Sequence, residues 1–63
     1  MKRGELVKKI NKIAKAQGAR PIYTEGGRHT HVQIGDKRTT IPRHSEINEL
    51  TARGILKYLE GGK

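Results

Sequence analysis

Leu6, Ile10, Ile13 and Ala14, with Val7 beside them, mark out one apolar face near the start of the chain. At about 100° per residue these positions share one arc of a helix, and Lys8, Lys12 and Lys15 fall on the opposite arc. The pattern predicts a helix over residues 2–17. Gly18 is suited to the left-handed conformation that ends helices, and Pro21 keeps the helix from resuming. The period then changes to two. A short strand is expected at residues 22–25, followed by a turn at Gly26-Gly27. Residues 28–34 alternate, with Thr30, Val32 and Ile34 on one face and His29, His31 and Gln33 on the other.

Gly35-Asp36 fits a two-residue hairpin loop, so residues 37–41 form the returning strand. That loop sets Ile34 opposite Lys37, Val32 opposite Thr39 and Thr30 opposite Ile41. One face of the hairpin is then buried, and the other shows His29, His31, Gln33, Arg38 and Thr40. The doubled glycine leaves the register of the first strand open, and with it whether Ile22 or Tyr23 faces the core. Pro42 ends the third strand.

Ala52, Ile55, Leu56 and Leu59 share a helical face. They predict a last helix that starts between residues 48 and 51 and runs to about residue 60. Thr51 is its expected cap, Leu50 on Ile55 its expected staple, and Gly54 marks an expected close approach to the sheet. Residues 61–63 read as a tail. The order is α-β-β-β-α, a single α+β domain over residues 1–63. It has a three-stranded antiparallel sheet, both helices on one face and the other face open.

Composition narrows what such a domain can do. A chain of 63 residues buries only about 60% of the surface its unfolded form exposes, so any active site is shallow. The absence of cysteine excludes disulfides and thiolate metal sites. Apolar runs of two or three residues span no membrane, and no signal-peptide stretch is present. A cytoplasmic protein is expected. The charge is more telling. Fourteen Lys and Arg against six acids give +8, which points to a polyanion partner, nucleic acid first. Two tyrosines are the only aromatics, too few for a base-stacking platform. The final helix carries only Arg53 and Lys57, so a DNA-recognition helix is not supported.

All three histidines lie between residues 29 and 44. His29 and His31 share a strand face, but zinc needs three or four ligands, and neither cysteine nor a nearby acid completes a set. No metal is expected. Proton transfer fits better, because free imidazole titrates near pH 6.5. Arg28, Arg38 and Arg43 are donors suited to phosphate oxygens. RNA brings its own 2′-hydroxyl nucleophile, so histidines on a basic open face meet most of the needs of metal-free RNA cleavage. The same residues also suit an ordinary solvated face on a non-catalytic RNA-binding module. His44, after Pro42-Arg43, is expected to bond the backbone where the chain turns toward the last helix. Lys8, Lys12 and Lys15, balanced in their helix only by Glu5, are expected to meet RNA backbone.

The stretches "GGRHTHVQI", "TTIPRH", "EI" and "TARGILKYL" together resemble the HicA family of mRNA interferase toxins. Those proteins read helix, "G-S-H" opening the second strand, "V-P-x-H" closing the third, and a last helix with "T-x-x-x-I-L-K". The resemblance covers nearly the whole chain. It implies a double-stranded-RNA-binding-domain-like fold, metal-independent cleavage of mRNA without a cofactor, and neutralisation by a HicB-like antitoxin. It implies a bacterial or phage origin. By position, His29 is the implied catalytic histidine, and His44 matches the histidine of the proline motif. His31 is the candidate second acid–base group, because it shares the strand face of His29 beside Arg38 and Thr40. Three departures stand out. Arg28 replaces the usual serine, Ala19 stands where an aromatic commonly follows the glycine, and Gly26 doubles Gly27.

Overall fold

A computed structural model describes residues 1–61. The remaining part of the expected tail, residues 62–63, lies outside the described residues. The elements are α1 (Arg3–Ala16), β1 (Ile22–Glu25), β2 (His29–Ile34), β3 (Lys37–Pro42) and α2 (Glu49–Leu59). The strands form one antiparallel sheet in the order β1-β2-β3. No helix among the described residues is long and apolar enough to cross a membrane.

The helical period of α1 delivers Leu6, Ile10 and Ala14 to the core, and α2 delivers Ala52, Ile55 and Leu59. These pack against Val32, Ile34 and Ile41 of the sheet in one cluster. Both helices therefore cover the same sheet face. The alternation of β2 is complete: Thr30, Val32 and Ile34 are buried, and His29, His31 and Gln33 are not. A one-residue slip would send the apolar set to solvent.

Local chemistry ends each element. Gly18 takes φ +69°, Ala19 N–H donates to Ala14 O at 2.9 Å and Gly18 N–H to Lys15 O at 3.0 Å. These are the two bonds of a Schellman cap, with Ala19 packed on the core. Gly35 takes φ +61°, and among the described residues no non-glycine residue has a positive φ. Those signs are those of a type II′ hairpin turn, and the β2–β3 register matches expectation, Ile34 with Lys37 through Thr30 with Ile41.

Pairing settles β1. Tyr23 lies opposite Val32 and Ile22 opposite Gln33, so Tyr23 is on the helix side and Ile22 on the open side. Tyr23 accordingly donates its hydroxyl to Asn11 Oδ1 of α1 at 2.7 Å.

The start of α2 differs from expectation. Asn48, not Thr51, is the cap, and its side chain accepts from Leu50 N–H at 2.8 Å. That frame places Ile47 and Ala52 at the two staple positions, and both are buried. Leu50 is 78% exposed and does not staple Ile55. Gly54 has nothing within 4 Å of where a Cβ would stand, so no close approach to the sheet requires it.

Candidate active site

The open sheet face carries the polar half of the hairpin. His29 pairs with Pro42, His31 with Thr40, and Gln33 with Arg38, while Thr24 flanks His31 from β1. His29 and Arg38 are exposed and His31 is half-buried. Side chains two apart on one strand face stand about 6.6 Å apart.

The strand ladder explains why His29 sits at an end. From the Ile34–Lys37 hairpin closure, hydrogen-bonded and non-hydrogen-bonded pairs alternate. His29–Pro42 falls on a non-hydrogen-bonded pair, so the missing proline N–H loses no bond to β2. The His29 carbonyl turns toward the β1 side, where Gly26 N–H donates to it at 2.9 Å. That bond closes the β1–β2 turn. Arg28 is exposed within this turn, directly before His29.

His31 packs back on the same turn. A Cβ built on Gly26 would lie 2.9 Å from His31 Nε2 and 3.1 Å from its Cδ2. The ring thus occupies space that a larger residue at position 26 would take. Gly27 has open space around it. Of the doubled glycine, Gly26 is the one with a steric role.

Beneath the turn runs a network absent from the sequence expectations. Thr30, 1% exposed, donates its hydroxyl to Glu25 Oε1 at 3.0 Å and accepts from Arg3 Nη2 at 2.8 Å. Arg3 Nε also reaches Pro42 O at 3.3 Å. The Thr30 hydroxyl holds the Glu25 carboxyl below its ordinary titration range, helped by Arg43 and opposed by partial desolvation. The only hint in the sequence is Glu25 and Thr30 bracketing the glycine turn.

Arg43 does not join Arg28 and Arg38 as an unencumbered donor. Its Nη2 donates to Glu25 Oε1 at 2.7 Å and to the Gly26 carbonyl, and Nη1 approaches the Gly27 carbonyl at 3.5 Å. The loop that carries it is tied to the chain start. Arg3 N–H donates to Ser45 O at 2.9 Å and Ile47 N–H to Met1 O at 2.7 Å. The Met1 amino group pairs with Glu46 at 3.0 Å and Glu49 at 3.3 Å. His44 is exposed, and among the described residues its ring makes no hydrogen bond to the backbone, contrary to expectation.

Lys8, Lys12 and Lys15 are exposed on α1. They sit on the outer side of the helical layer, away from the open sheet face. A groove of about 390 Å³ runs beside them, lined also by Glu5, Lys9 and Asn11. The basic residues expected to hold RNA are thus divided between two faces. No three histidine, aspartate or glutamate side chains form a metal-ligand group among the described residues.

No protein-family model, curated protein or solved structure matches the chain, so the likeness to HicA toxins rests on the short motifs and on the element order.

Proposed function

We propose that the chain is a metal-independent endoribonuclease, the toxin of a HicA–HicB-like pair, acting on mRNA in a bacterial or phage-infected cytoplasm. The fold class it would share with that family is double-stranded-RNA-binding-domain-like. The observation that carries this reading is the open sheet face. It sets the exposed His29 beside the half-buried His31, with Arg28 and Arg38 at its borders.

His29 takes the proton from the ribose 2′-hydroxyl. The 2′-oxygen attacks the adjacent phosphorus, the bond to the 5′-oxygen breaks, and His31 protonates that leaving oxygen. The products are a 2′,3′-cyclic phosphate and a free 5′-hydroxyl. Arg28 and Arg38 offset the charge that builds on the phosphoryl oxygens, where donors matter most. The lysines of α1 hold neighbouring backbone. A basic enzyme of this kind is most directly silenced by an acidic partner that masks its RNA contacts.

The test is cleavage of a defined RNA in EDTA by the unaltered protein and His29→Ala. Cyclic-phosphate ends are expected from the first and none from the second. Replacing the 2′-hydroxyl by hydrogen abolishes cleavage and leaves binding. Full activity in His29→Ala removes His29 from the site. Binding without cleavage by either protein leaves the RNA-binding module as the function.

A further inference from the structure

Arg28, Arg38 and Arg43 are alike in sequence, yet Arg43 stands apart in its surroundings. Arg28 and Arg38 have no ion-pair partner among the described residues, whereas Arg43 meets a carboxylate and two carbonyls at once. Those carbonyls belong to Gly26 and Gly27, in the turn that leads into His29. A turn of this kind leaves its carbonyls outside the sheet ladder, and each needs a donor or water. The planar guanidinium fork serves several acceptors in fixed directions, which a lysine does not.

The bonds form a chain. Arg43 holds Gly26, and Gly26 N–H holds the His29 carbonyl at 2.9 Å. Glu25, the carboxylate partner of Arg43, also accepts from Thr30, the residue after His29. Thr30 is held in turn by Arg3. His29 is therefore fixed on both sides through Arg43 and Glu25. The guanidinium itself comes from a loop bonded to residues 1–3, so its base is fixed too.

We propose that Arg43 is a positioning residue for His29: it clasps the Gly26–Gly27 turn to Glu25 and so fixes the direction in which the His29 imidazole leaves the open face. It makes no contact with the scissile phosphate. The inference rests on the ribonuclease reading. The Arg43–Glu25 pair carries no net charge, so its pull on a phosphate is small, and both donors of Nη2 and one of Nη1 are already engaged.

The experiment compares Arg43→Gln, Arg43→Lys and Glu25→Gln with Arg38→Gln. The readouts are kcat and KM for cleavage of a short RNA in EDTA. Affinity for its 2′-deoxy analogue is measured across a salt series. Arg43→Gln, Arg43→Lys and Glu25→Gln are each expected to lower kcat tenfold or more, with KM within twofold. The salt slope of binding stays unchanged for both Arg43 variants. Arg38→Gln is expected to raise KM and flatten the slope by about 0.7, the value for one lost phosphate contact on single strands. Lysine preserves a phosphate contact as a point charge but not a fork. If Arg43→Lys behaves as the unaltered protein while Arg43→Gln raises KM and flattens the slope, the proposal is overturned.

A second measurement does not depend on cleavage. Hydrogen exchange of the Gly26 amide should quicken tenfold or more in Arg43→Gln, and unchanged exchange overturns the clasp. If the unaltered protein cleaves nothing, the ribonuclease reading fails and the catalytic part of the proposal fails with it. Exchange at Gly26 then shows that the function, not the geometry, was at fault.

Discussion

The His31 ring lies against Gly26 so closely that a Cβ at position 26 would sit 2.9 Å from Nε2 and 3.0 Å from the His29 carbonyl oxygen. The neighbour on one side is a side chain that can rotate. On the other it is backbone, and that backbone accepts the Gly26 N–H bond. Gly26→Ala should therefore shift both histidines and destabilise the fold by about 1–3 kcal/mol, the usual range for overpacking. Gly27→Ala meets nothing within 4 Å and needs no positive φ. It should be neutral or stabilise by about 0.4–1 kcal/mol through the unfolded chain. Urea unfolding of the two variants, with histidine ring resonances as a local probe, checks the contrast. Equal effects at both positions would mean that the ring is not packed on Gly26.

Thr30 occupies a core-facing position that a valine would fill equally well by volume. Its hydroxyl is the difference, because it bonds Arg3 and Glu25 from a buried site. Thr30→Val leaves Nη2 of the half-buried Arg3 without its acceptor, while Nε keeps Pro42 O. The expected loss is about 1–3 kcal/mol, the range for stranding a buried polar group. A valine variant as stable as the original in urea would show that water replaces the hydroxyl without penalty.

How much of this was legible in the sequence varied with the range of the interaction. The faces of α1, α2 and the β2–β3 hairpin follow from spacing and from Gly35-Asp36, which act within a few residues. The start of α2 was open between Asn48 and Thr51, the two residues there that can cap. Asn48 caps it because Ile47 and Ala52 then both reach the core. The register of β1 depended on one extra glycine, whose effect shows only once His31 is packed on it. Arg43 could not be told from Arg28 or Arg38, because its partners, Glu25 to Gly27, lie 16 to 18 residues earlier. The two-sided distribution of basic residues, by contrast, follows from local spacing, since Lys8, Lys12 and Lys15 lie on the arc of α1 opposite its core face and Arg38 lies on the open sheet face.

That distribution separates binding from chemistry. Lys8 and Lys12 are four apart on α1, and Lys12 and Lys15 three apart, so each pair repels across about one turn. Such pairs destabilise a helix by about 0.2–0.5 kcal/mol each. Replacing all three by glutamine should raise the unfolding midpoint slightly. It should also weaken RNA binding and flatten its salt slope by about 2, counting about 0.7 per contact on single strands. The rate at saturating RNA should not change, since these lysines lie away from the histidine face. Gain of stability with unchanged binding would make the lysine stripe an ordinary solvated surface.

Acid should loosen the turn before it unfolds the core. The Glu25 carboxyl is lowered from 4.5, first by the Thr30 hydroxyl and then by Arg43. A carboxyl with a depressed folded-state value contributes stability that is fully present above its unfolded value. That contribution is lost as pH falls through the folded one. The advantage of Glu25 over Glu25→Gln should therefore be constant from pH 7 to about 5 and shrink below 4.5. Urea midpoints for both proteins at pH 7, 5 and 3 test this. The same acid change should quicken exchange of the Gly26 amide, because Arg43 loses its carboxylate partner and keeps only the two carbonyls. An advantage that persists undiminished at pH 3 would mean that Glu25 acts there through its neutral hydrogen bonds, and that the charge pairing with Arg43 contributes nothing to the turn.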